Sequence, residues 1–172
     1  MQKQTLEISG LRPAHPADAP AITAVINLAF QKESSFKKGD RIDEQQVREK
    51  MSTGSFYVVE NEGVISACIY IETASADSSG LASGPNAGYI GMLAVHPSLQ
   101  GRGLGRKLMT FGEAELQRRD VTHIQLRIVN LRTELLDFYS RLGYRETGTA
   151  PYPFPEKTTR PIHFIHMEKS LP

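Results

Sequence analysis

This sequence has few cysteines, little net charge and no long hydrophobic run. Its single cysteine, Cys68, excludes an internal disulfide and a zinc site built on paired cysteines, and its apolar neighbours indicate a buried, reduced thiol. Twenty basic residues almost balance nineteen acidic ones, which argues against binding nucleic acid or a membrane surface through bulk charge. Because no segment is apolar enough to cross a bilayer or to act as a secretion signal, the expected location is cytoplasmic.

The chain length of 172 residues predicts a single domain, residues 1–172. The spacing of apolar residues predicts the order strand, two helices, three strands, helix, strand, helix and two strands. The strands are expected at residues 6–12, 55–60, 64–72, 90–95, 121–129, 144–147 and 162–167. The helices are expected after an N-cap at Asp18, at residues 42–51, from Leu104 onward, and after an N-cap at Thr133. Residues 73–87 are predicted to be flexible, and the proline-rich residues 150–161 are predicted to be irregular.

The most informative stretch joins the strand at residues 90–95 to the helix that begins at Leu104. The turn between them contains three glycines, Gly101, Gly103 and Gly105. Three basic residues lie at the same end of the helix: Arg102, Arg106 and Lys107. Positive side chains are unfavourable near a helix N-terminus by about 0.3 to 1 kcal/mol each, because the helix dipole is positive there. We therefore expect an external anion, such as a phosphate or pyrophosphate, to bind at this turn.

Two motifs resemble those of the Gcn5-related N-acetyltransferases. The first is the family's Gln/Arg-x-x-Gly-x-Gly/Ala loop, present as residues 100–105 after the strand sequence LAVHP. The second is LRTELLDFYSRLGYRETG, similar to the family segment with Phe-Tyr followed by Leu-Gly-Phe/Tyr. The resemblance covers essentially the whole chain. It implies an α/β fold whose mixed, mostly antiparallel sheet has about seven strands, splayed between strands 4 and 5, with about four helices.

The resemblance also implies acetyl-CoA as co-substrate and a set of residues that bind it. The glycine loop would hold the pyrophosphate, and the main chain of the central strand would pair with the pantetheine arm and stabilise an oxyanion. The residues implied are Leu93, Ala94, Val95, Gln100, Gly101, Arg102, Gly103, Leu104, Gly105, Arg106, Asn130 and Tyr139. Arg132 lies nearer the family's asparagine position than Asn130 does, and its role is left open. No metal is expected.

Tyr139 matches the family tyrosine beside the sulfur and is the candidate acid for the leaving thiol. A phenol has a pKa near 10 and is therefore protonated at neutral pH. The alternative is a core aromatic, since Tyr139 shares a helix face with Leu135 and Leu142.

The general base is less clear, because the family's usual glutamate positions fall near Tyr89 and near Arg127 or Ile128. Glu72 is the substitute that we predict. A water chain ending on backbone carbonyls, helped by Tyr89, is the alternative. We expect Glu113 and Glu115 to face solvent.

The acceptor is predicted to lie between residues 31–40 and residues 150–161, which contain aromatic and basic side chains suited to a small molecule with a carboxylate. The expected function is therefore transfer of an acetyl group from acetyl-CoA to a primary amine of a small molecule through a tetrahedral intermediate. Two alternatives remain: acetylation of a protein N-terminus or lysine, and a non-catalytic acyl-CoA-binding module. A homodimer is possible by resemblance alone, and neither nucleic acid nor membrane is expected as a partner.

Overall fold

The structure, a computed structural model, describes residues 7–73 and 85–172. In these residues a seven-stranded sheet has the order β1-β2-β3-β4-β5-β7-β6. The strands are β1 (Leu11–Pro13), β2 (Ser55–Asn61), β3 (Val64–Thr73), β4 (Ala87–Val95), β5 (His123–Val129), β6 (Arg145–Pro151) and β7 (His163–Ser170). Neighbouring strands are antiparallel except β4 and β5, which are parallel. The predicted fold class is confirmed.

Four α-helices occur in the described residues: α1 (Ala19–Ala29), α2 (Glu44–Thr53), α3 (Leu104–Gln117) and α4 (Thr133–Arg141). Helix α2 begins with a capping box, in which Asp43 accepts from the Gln46 amide and the Asp43 amide donates to the Gln46 side chain. Helix α1 has Asp18 at its N-cap, as predicted. The order of strands and helices along the chain is also the predicted one.

The sheet separates two hydrophobic cores because side chains alternate along each strand. Ile69 and Ile71 of β3 pack in the core that contains α3 and α4. Cys68 and Tyr70 face the opposite core, with α1 and α2. A Cβ at Gly112 would lie 3.0 Å from Ile69 Cδ1, so glycine at this position lets α3 lie close to the sheet.

Strands β4 and β5 separate soon after they meet. Their parallel pairing covers only Ala87–Tyr89 of β4, opposite residues 123–125. Beyond Tyr89, β4 remains paired with β3 while β5 pairs with β7 through Val129. The register of β4 against β3 shifts opposite residues 68–70, where Met92 has a φ of +47°. The predicted splay between strands 4 and 5 is therefore present, and it leaves a gap in the sheet.

Cys68 lies beside this bulge, fully buried, and its thiol donates to the Met92 carbonyl at 3.4 Å. Burial raises the pKa of Cys68 to about 12, so the thiol is protonated and unreactive at neutral pH. The predicted buried, reduced thiol is confirmed.

Several predicted boundaries differ from the structure. β1 is shorter than residues 6–12, and α4 has Arg132 rather than Thr133 at its N-cap. The prediction that residues 150–161 are wholly irregular is wrong at its start, since β6 continues to Pro151. Proline is tolerated there because β6 is an edge strand, where one row of amides has no strand to bond. The predicted flexible segment falls mostly outside the described residues, which omit 74–84.

The two segments predicted to border the acceptor contact each other. The Lys38 amide donates to the Lys157 carbonyl at 2.8 Å, and the Thr159 amide donates to the Phe36 carbonyl at 2.9 Å. Phe36 also packs with Tyr152 and Phe164 in a small hydrophobic cluster. The segments thus form a continuous wall beside β5 and β7. Among the described residues, no helix has the length and apolar character needed to span a membrane.

Candidate active site

The turn between β4 and α3 has the backbone geometry that its glycines predict. Gly101 and Gly103 have φ values of +76° and +82°, in the left-handed region that favours glycine. A Cβ at either position would meet no atom within 4 Å, so protein packing does not explain the glycines. Gly103 is the N-cap of α3 and supplies no side-chain cap, so the first amides of the helix are free to bind an anion.

The side chain of Gln100 links this turn to the end of β4 by a hydrogen bond. Its side-chain amide donates to the Val95 carbonyl at 3.0 Å. The His96 amide donates to the Ser66 carbonyl of β3 at 2.8 Å, so Val95, one residue earlier, turns its peptide groups away from β3 and toward the gap. The strand end and the glycine turn are therefore held as one unit.

A cavity of about 330 Å³ lies along this unit and extends to α4. Nine of the twelve predicted cofactor-binding residues line it: Leu93, Val95, Gln100, Gly101, Gly103, Leu104, Gly105, Arg106 and Tyr139. A Cβ at Gly105 would lie 3.8 Å from Phe138 and 4.0 Å from Leu93, on the cavity wall, where a larger side chain would narrow the space. Free helix amides with Arg106 at one end and apolar walls beside a strand end fit a long ligand with phosphates and an uncharged arm, such as acetyl-CoA.

Tyr139, on α4, also lines the cavity. Its side chain is 8% exposed and packs against the rings of Phe138 and Tyr144, with centroid distances of 5.0 and 5.9 Å. Its hydroxyl makes no hydrogen bond to any residue that the structure describes. Burial raises the pKa of Tyr139 well above its ordinary value, and the nearby Tyr89 hydroxyl raises it further. The phenol therefore remains protonated and is free to donate to a bound group.

Glu72 lies on the other face of the sheet and does not line the cavity. It is 6% exposed and pairs in register with Tyr89, while its carboxylate accepts from the Tyr70 hydroxyl at 2.7 Å. The Tyr70 and Tyr89 rings are 6.3 Å apart. Tyr89 therefore lies between Glu72, its partner in register on β3, and β5, at the last pair before the gap.

The acetyltransferase (GNAT) family model matches residues 21–144, most of the chain. The chain belongs to this family. It is an acetyltransferase, and acetyl-CoA is its co-substrate.

Solved structures resemble this GNAT member along nearly its whole length. The ribosomal-protein-alanine N-acetyltransferase from Brucella melitensis is 20% identical, with a TM-score of 0.72, 94% of this chain covered and 99% of that one. The structure of yncA from Salmonella typhimurium with its cofactor acetyl-CoA is 22% identical, with a TM-score of 0.70 and coverages of 94% and 93%. An N-acetyltransferase from Staphylococcus aureus Mu50 is 15% identical, with a TM-score of 0.72 and coverages of 96% and 100%. At these identities the likeness shows the fold. No curated protein matches the sequence.

Three predicted cofactor residues do not line the cavity of this GNAT member. Ala94 is buried in the core with α1 and α2, and Arg102 is exposed outside the cavity. The Asn130 side chain accepts from the His163 amide at 2.9 Å, which fixes it to the start of β7. The role of Asn130 in binding pantetheine thus remains a prediction, and the structure gives it a second role at this strand.

Sequence reasoning left out several residues that line the cavity: Ala29, Phe30, Lys32, Leu99, Glu134, Leu135 and Phe138. Arg132, whose role the sequence left open, lines it too. Leu135 and Phe138 carried a usable signal, because they share the helical stripe with Tyr139. A stripe of this kind predicts packing against the core, whereas here part of it forms the cavity wall. Phe30 and Lys32 lie about 100 positions from Tyr139 in the sequence, and no pattern in the chain connects them with it.

A buried ion network connects the cavity with the opposite side of the sheet. Glu33 is 4% exposed, and its two carboxylate oxygens accept from Arg132 and from Arg41, each at 3.4 Å. Arg132 also donates to Glu134 at 2.6 Å. Arg41 lies 5.0 Å from the Phe30 ring. The network therefore fixes the end of α4 that lines the cavity against the segment after α1.

The prediction that Glu113 and Glu115 face solvent is wrong. Glu113 accepts from Tyr144 at 3.0 Å and from Lys169 at 2.8 Å, and Glu115 pairs with Arg119 at 3.2 Å. Both carboxylates join α3 to neighbouring elements. Among the described residues, no cluster of three or more His, Cys, Asp or Glu side chains could hold a metal ion.

Proposed function

We propose that this acetyltransferase moves an acetyl group from acetyl-CoA to a primary amine of a small molecule, by direct attack of the amine on the thioester through a tetrahedral intermediate. The gap between β4 and β5 is the observation that carries this proposal. On one side of the gap lies the cavity with the Tyr139 hydroxyl, and on the other lie Tyr89, Tyr70 and Glu72. Such a gap lets two substrates approach from opposite faces of the sheet.

The backbone of β4 would stabilise the oxyanion. Past Tyr89 this strand no longer pairs with β5, and Val95 turns its peptide groups toward the gap. The main-chain amide of Val95 is held in place by the pairing of β4 with β3 before any ligand arrives. Preorganised donors of this kind lower the energy of a developing negative charge, because they need no rearrangement during the reaction.

Tyr139 would donate a proton to the leaving sulfur. As the C–N bond forms and the C–S bond breaks, electrons move to sulfur and a proton must follow. The Tyr139 hydroxyl lines the cavity and, within the described residues, holds no hydrogen bond that would compete. Burial raises the pKa of Tyr139, so the phenol is protonated at neutral pH and can hydrogen-bond to the sulfur as negative charge develops there.

Glu72 would accept the proton that the attacking amine loses. It is buried on the acceptor side, and Tyr70 and Tyr89 lie between it and the gap. The proton would therefore reach the carboxylate through the Tyr70 hydroxyl or through water beside Tyr89. This carboxylate also balances the positive charge that the amine gains on attack.

A small acceptor is favoured by the wall on this side of the sheet. Residues 31–40 and 152–161 bond to each other through their main chains, and Phe36, Tyr152 and Phe164 pack beneath them. A protein substrate would need an open groove, whereas these joined segments form a wall beside β5 and β7.

The decisive experiment combines binding with a substrate panel. Thermal shift with acetyl-CoA tests the cavity, and release of free thiol is then measured with small primary amines, amino acids, and peptides offering an N-terminal amine or a lysine. We expect thiol release with small amines or amino acids. Turnover restricted to peptides would replace the proposal with protein acetylation. Binding of acetyl-CoA without thiol release on any amine would indicate a non-catalytic module.

A further inference from the structure

The Tyr70 hydroxyl lies between Glu72 and the end of α2. It donates to the Glu72 carboxylate at 2.7 Å and lies 3.0 Å from the Thr53 hydroxyl, where either oxygen can be the donor. Thr53 can also donate to the Lys50 carbonyl, at 3.3 Å. The side chains of Glu72, Tyr70 and Thr53 therefore form a continuous hydrogen-bonded chain that begins on β3 and ends on α2.

This chain runs from the interior of the protein to its surface. Glu72 is 6% exposed and Tyr70 is fully buried, whereas Thr53 is an exposed residue at the last position of α2. Side-chain hydroxyls both donate and accept, so each can pass a proton on as it receives one. The proposed base thus has a hydrogen-bonded connection to an exposed hydroxyl.

Close packing holds the Tyr70 hydroxyl in this position. Its ring packs against that of Phe56, with centroids 5.0 Å apart, and the Lys50 ammonium lies 5.0 Å from the ring. A Cβ at Gly54 would overlap with the Tyr70 hydroxyl, so glycine at this position lets the end of α2 approach it closely. The hydroxyl is therefore fixed where β3 and α2 meet.

The hydrogen bonds of the chain suit both protonation states of Glu72. When Glu72 is a carboxylate, Thr53 donates to Tyr70 and Tyr70 donates to Glu72. When Glu72 is protonated, the same bonds can run in the opposite direction, and Thr53 then donates to the Lys50 carbonyl. Burial raises the pKa of Tyr70 well above its ordinary value, so the phenol does not persist as a phenolate during such a reversal. It gives its own proton to Thr53 as it receives one from Glu72.

Acetylation of an amine requires an exit for a proton. A primary amine of the lysine type has a pKa near 10.4, so it arrives at neutral pH as an ammonium ion and loses two protons in one turnover. One of them replaces the proton that Tyr139 gives to the leaving thiol. The other is held by Glu72 and must reach solvent before the next amine can react.

We propose that Tyr70 and Thr53 carry the proton from Glu72 to solvent after each turnover. Glu72 transfers its proton to the Tyr70 oxygen, Tyr70 transfers its own to the Thr53 oxygen, and Thr53 releases its own to water. Each hydroxyl oxygen loses one O–H bond and gains another, and the hydroxyls then turn back to their first arrangement. The inference rests on the proposed function, since it explains how the proposed base is regenerated. It assigns the departure of the proton to Tyr70 and its arrival to water beside Tyr89.

The test follows thiol release from the first turnover onward in Tyr70→Phe and Thr53→Val. Glu72 starts without its proton, so the first turnover should proceed at the wild-type rate. Later turnovers wait for the proton to leave. Because proton transfers by positioned groups contribute about 10²- to 10⁴-fold to rate, we expect kcat to be at least about tenfold lower. Thr53→Ser keeps the hydroxyl and should keep the wild-type kcat.

Two further variants control for the loss of a hydroxyl. Tyr144→Phe removes another buried phenol that donates to a glutamate, and Ser52→Ala removes the neighbouring hydroxyl of α2. Both should release thiol at the wild-type rate in every turnover. A first turnover slowed as much as the later ones would mean that Tyr70 and Thr53 only position Glu72. That result, or an unchanged kcat, would overturn the inference while leaving the proposed function intact.

Failure of the proposed function gives a different result, because no amine then releases thiol from the wild type. In that case, exchange of the Tyr70 hydroxyl proton with water decides the inference, followed by NMR and identified by its proximity to the Tyr70 ring. Slower exchange in Thr53→Val than in the wild type and Thr53→Ser supports the route, whereas equal exchange overturns it. If Tyr70→Phe does not fold, the comparison of Thr53→Val with Thr53→Ser gives the answer in both experiments.

Discussion

The Tyr89 hydroxyl raises the pKa of Tyr139 although the two side chains pack in different cores, on opposite faces of the sheet. After burial, Tyr89 is the largest cause of the raised pKa of Tyr139. Such an influence is possible because β4 and β5 stop pairing just after Tyr89. A Cβ at Gly91 would lie 2.5 Å from the Tyr89 hydroxyl, so glycine at this position lets the ring lie over the strand beside the gap.

Tyr139→Phe tests the proposed acid. General acids contribute about 10²- to 10⁴-fold to rate, so we expect kcat to fall at least about a hundredfold. The affinity for acetyl-CoA, measured by calorimetry, should stay the same. The free energy of unfolding should not fall, because the hydroxyl has no hydrogen bond within the described residues. Tyr144→Phe is the matched control, since Tyr144 lies outside the cavity lining and bonds Glu113. An unchanged kcat in Tyr139→Phe would remove the proposed role.

Gly103→Ala tests whether the glycine turn binds the pyrophosphate. A left-handed conformation costs a non-glycine residue roughly 1–2 kcal/mol, so the variant should lose about that much stability in a urea titration. Gly63→Ala is the control, because Gly63 has a φ of +77° and open space around it but lies in the β2–β3 turn. Both variants should lose similar stability, and only Gly103→Ala should bind acetyl-CoA more weakly. Equal affinities in the two variants would contradict the assignment.

Glu72→Gln tests the proposed base. The amide keeps the size of the side chain and can still accept from Tyr70, but it cannot take up a proton at neutral pH. We expect kcat to fall about a hundredfold, with acetyl-CoA binding unchanged. Glu146→Gln, on the exposed part of β6, should behave as the wild type. If Glu72→Gln keeps its kcat, water and backbone carbonyls near Tyr89 become the better proton route.

The pKa of Lys37 predicts how stability depends on pH. It is lowered from 10.5 to about 8 in the folded protein, so the unfolded chain binds more protons between these two pH values. The contribution of Lys37 to the free energy of unfolding therefore rises as the pH increases from about 8 to 10.5. Lys37→Met should be stabilising at pH 7, and the gain should shrink at higher pH.

Urea unfolding of the wild type, Lys37→Met and Lys38→Met at pH 7, 8, 9 and 10 would measure this effect. Lys38 is exposed in the same segment and should show no pH-dependent difference. A gain in Lys37→Met that is independent of pH would mean that burial of the charge is not its cause.

Glu33→Ala tests the buried ion network. Loss of one partner leaves charges buried without compensation, which typically costs about 3–5 kcal/mol. Arg41 and Arg132 would both lose a partner. Because the two ion pairs are long, at 3.4 Å, we expect the free energy of unfolding to fall by an amount near the lower value. Glu44→Ala removes an exposed pair with Arg48 and should cost less than about 1 kcal/mol. Similar losses in the two variants would show that Glu33 does not hold the network.

The backbone of the glycine turn and the order of the elements followed from the sequence because they are local. The three glycines and the basic residues at the helix N-terminus lie within about ten positions of one another, so their pattern is visible in the sequence. The spacing of apolar residues likewise identifies a strand or a helix without knowledge of its neighbours. Tyr139 was predictable for the same reason, since it lies in a continuous motif.

Only the tertiary structure brought Glu33, Arg41 and Arg132 together. Glu33 and Arg132 are 99 positions apart, and no spacing in the chain shows that the segment after α1 contacts the start of α4. Three other features likewise depend on which strands and helices become neighbours. They are the bond of Asn130 to the start of β7, the buried pairing of Glu113 and the position of Phe30 on the cavity wall. The sequence alone thus determined the family and the backbone of the glycine turn, because both depend on continuous segments of the chain. The buried ion network of Glu33 was decided by folding, because its charges meet only when distant segments pack and exclude water.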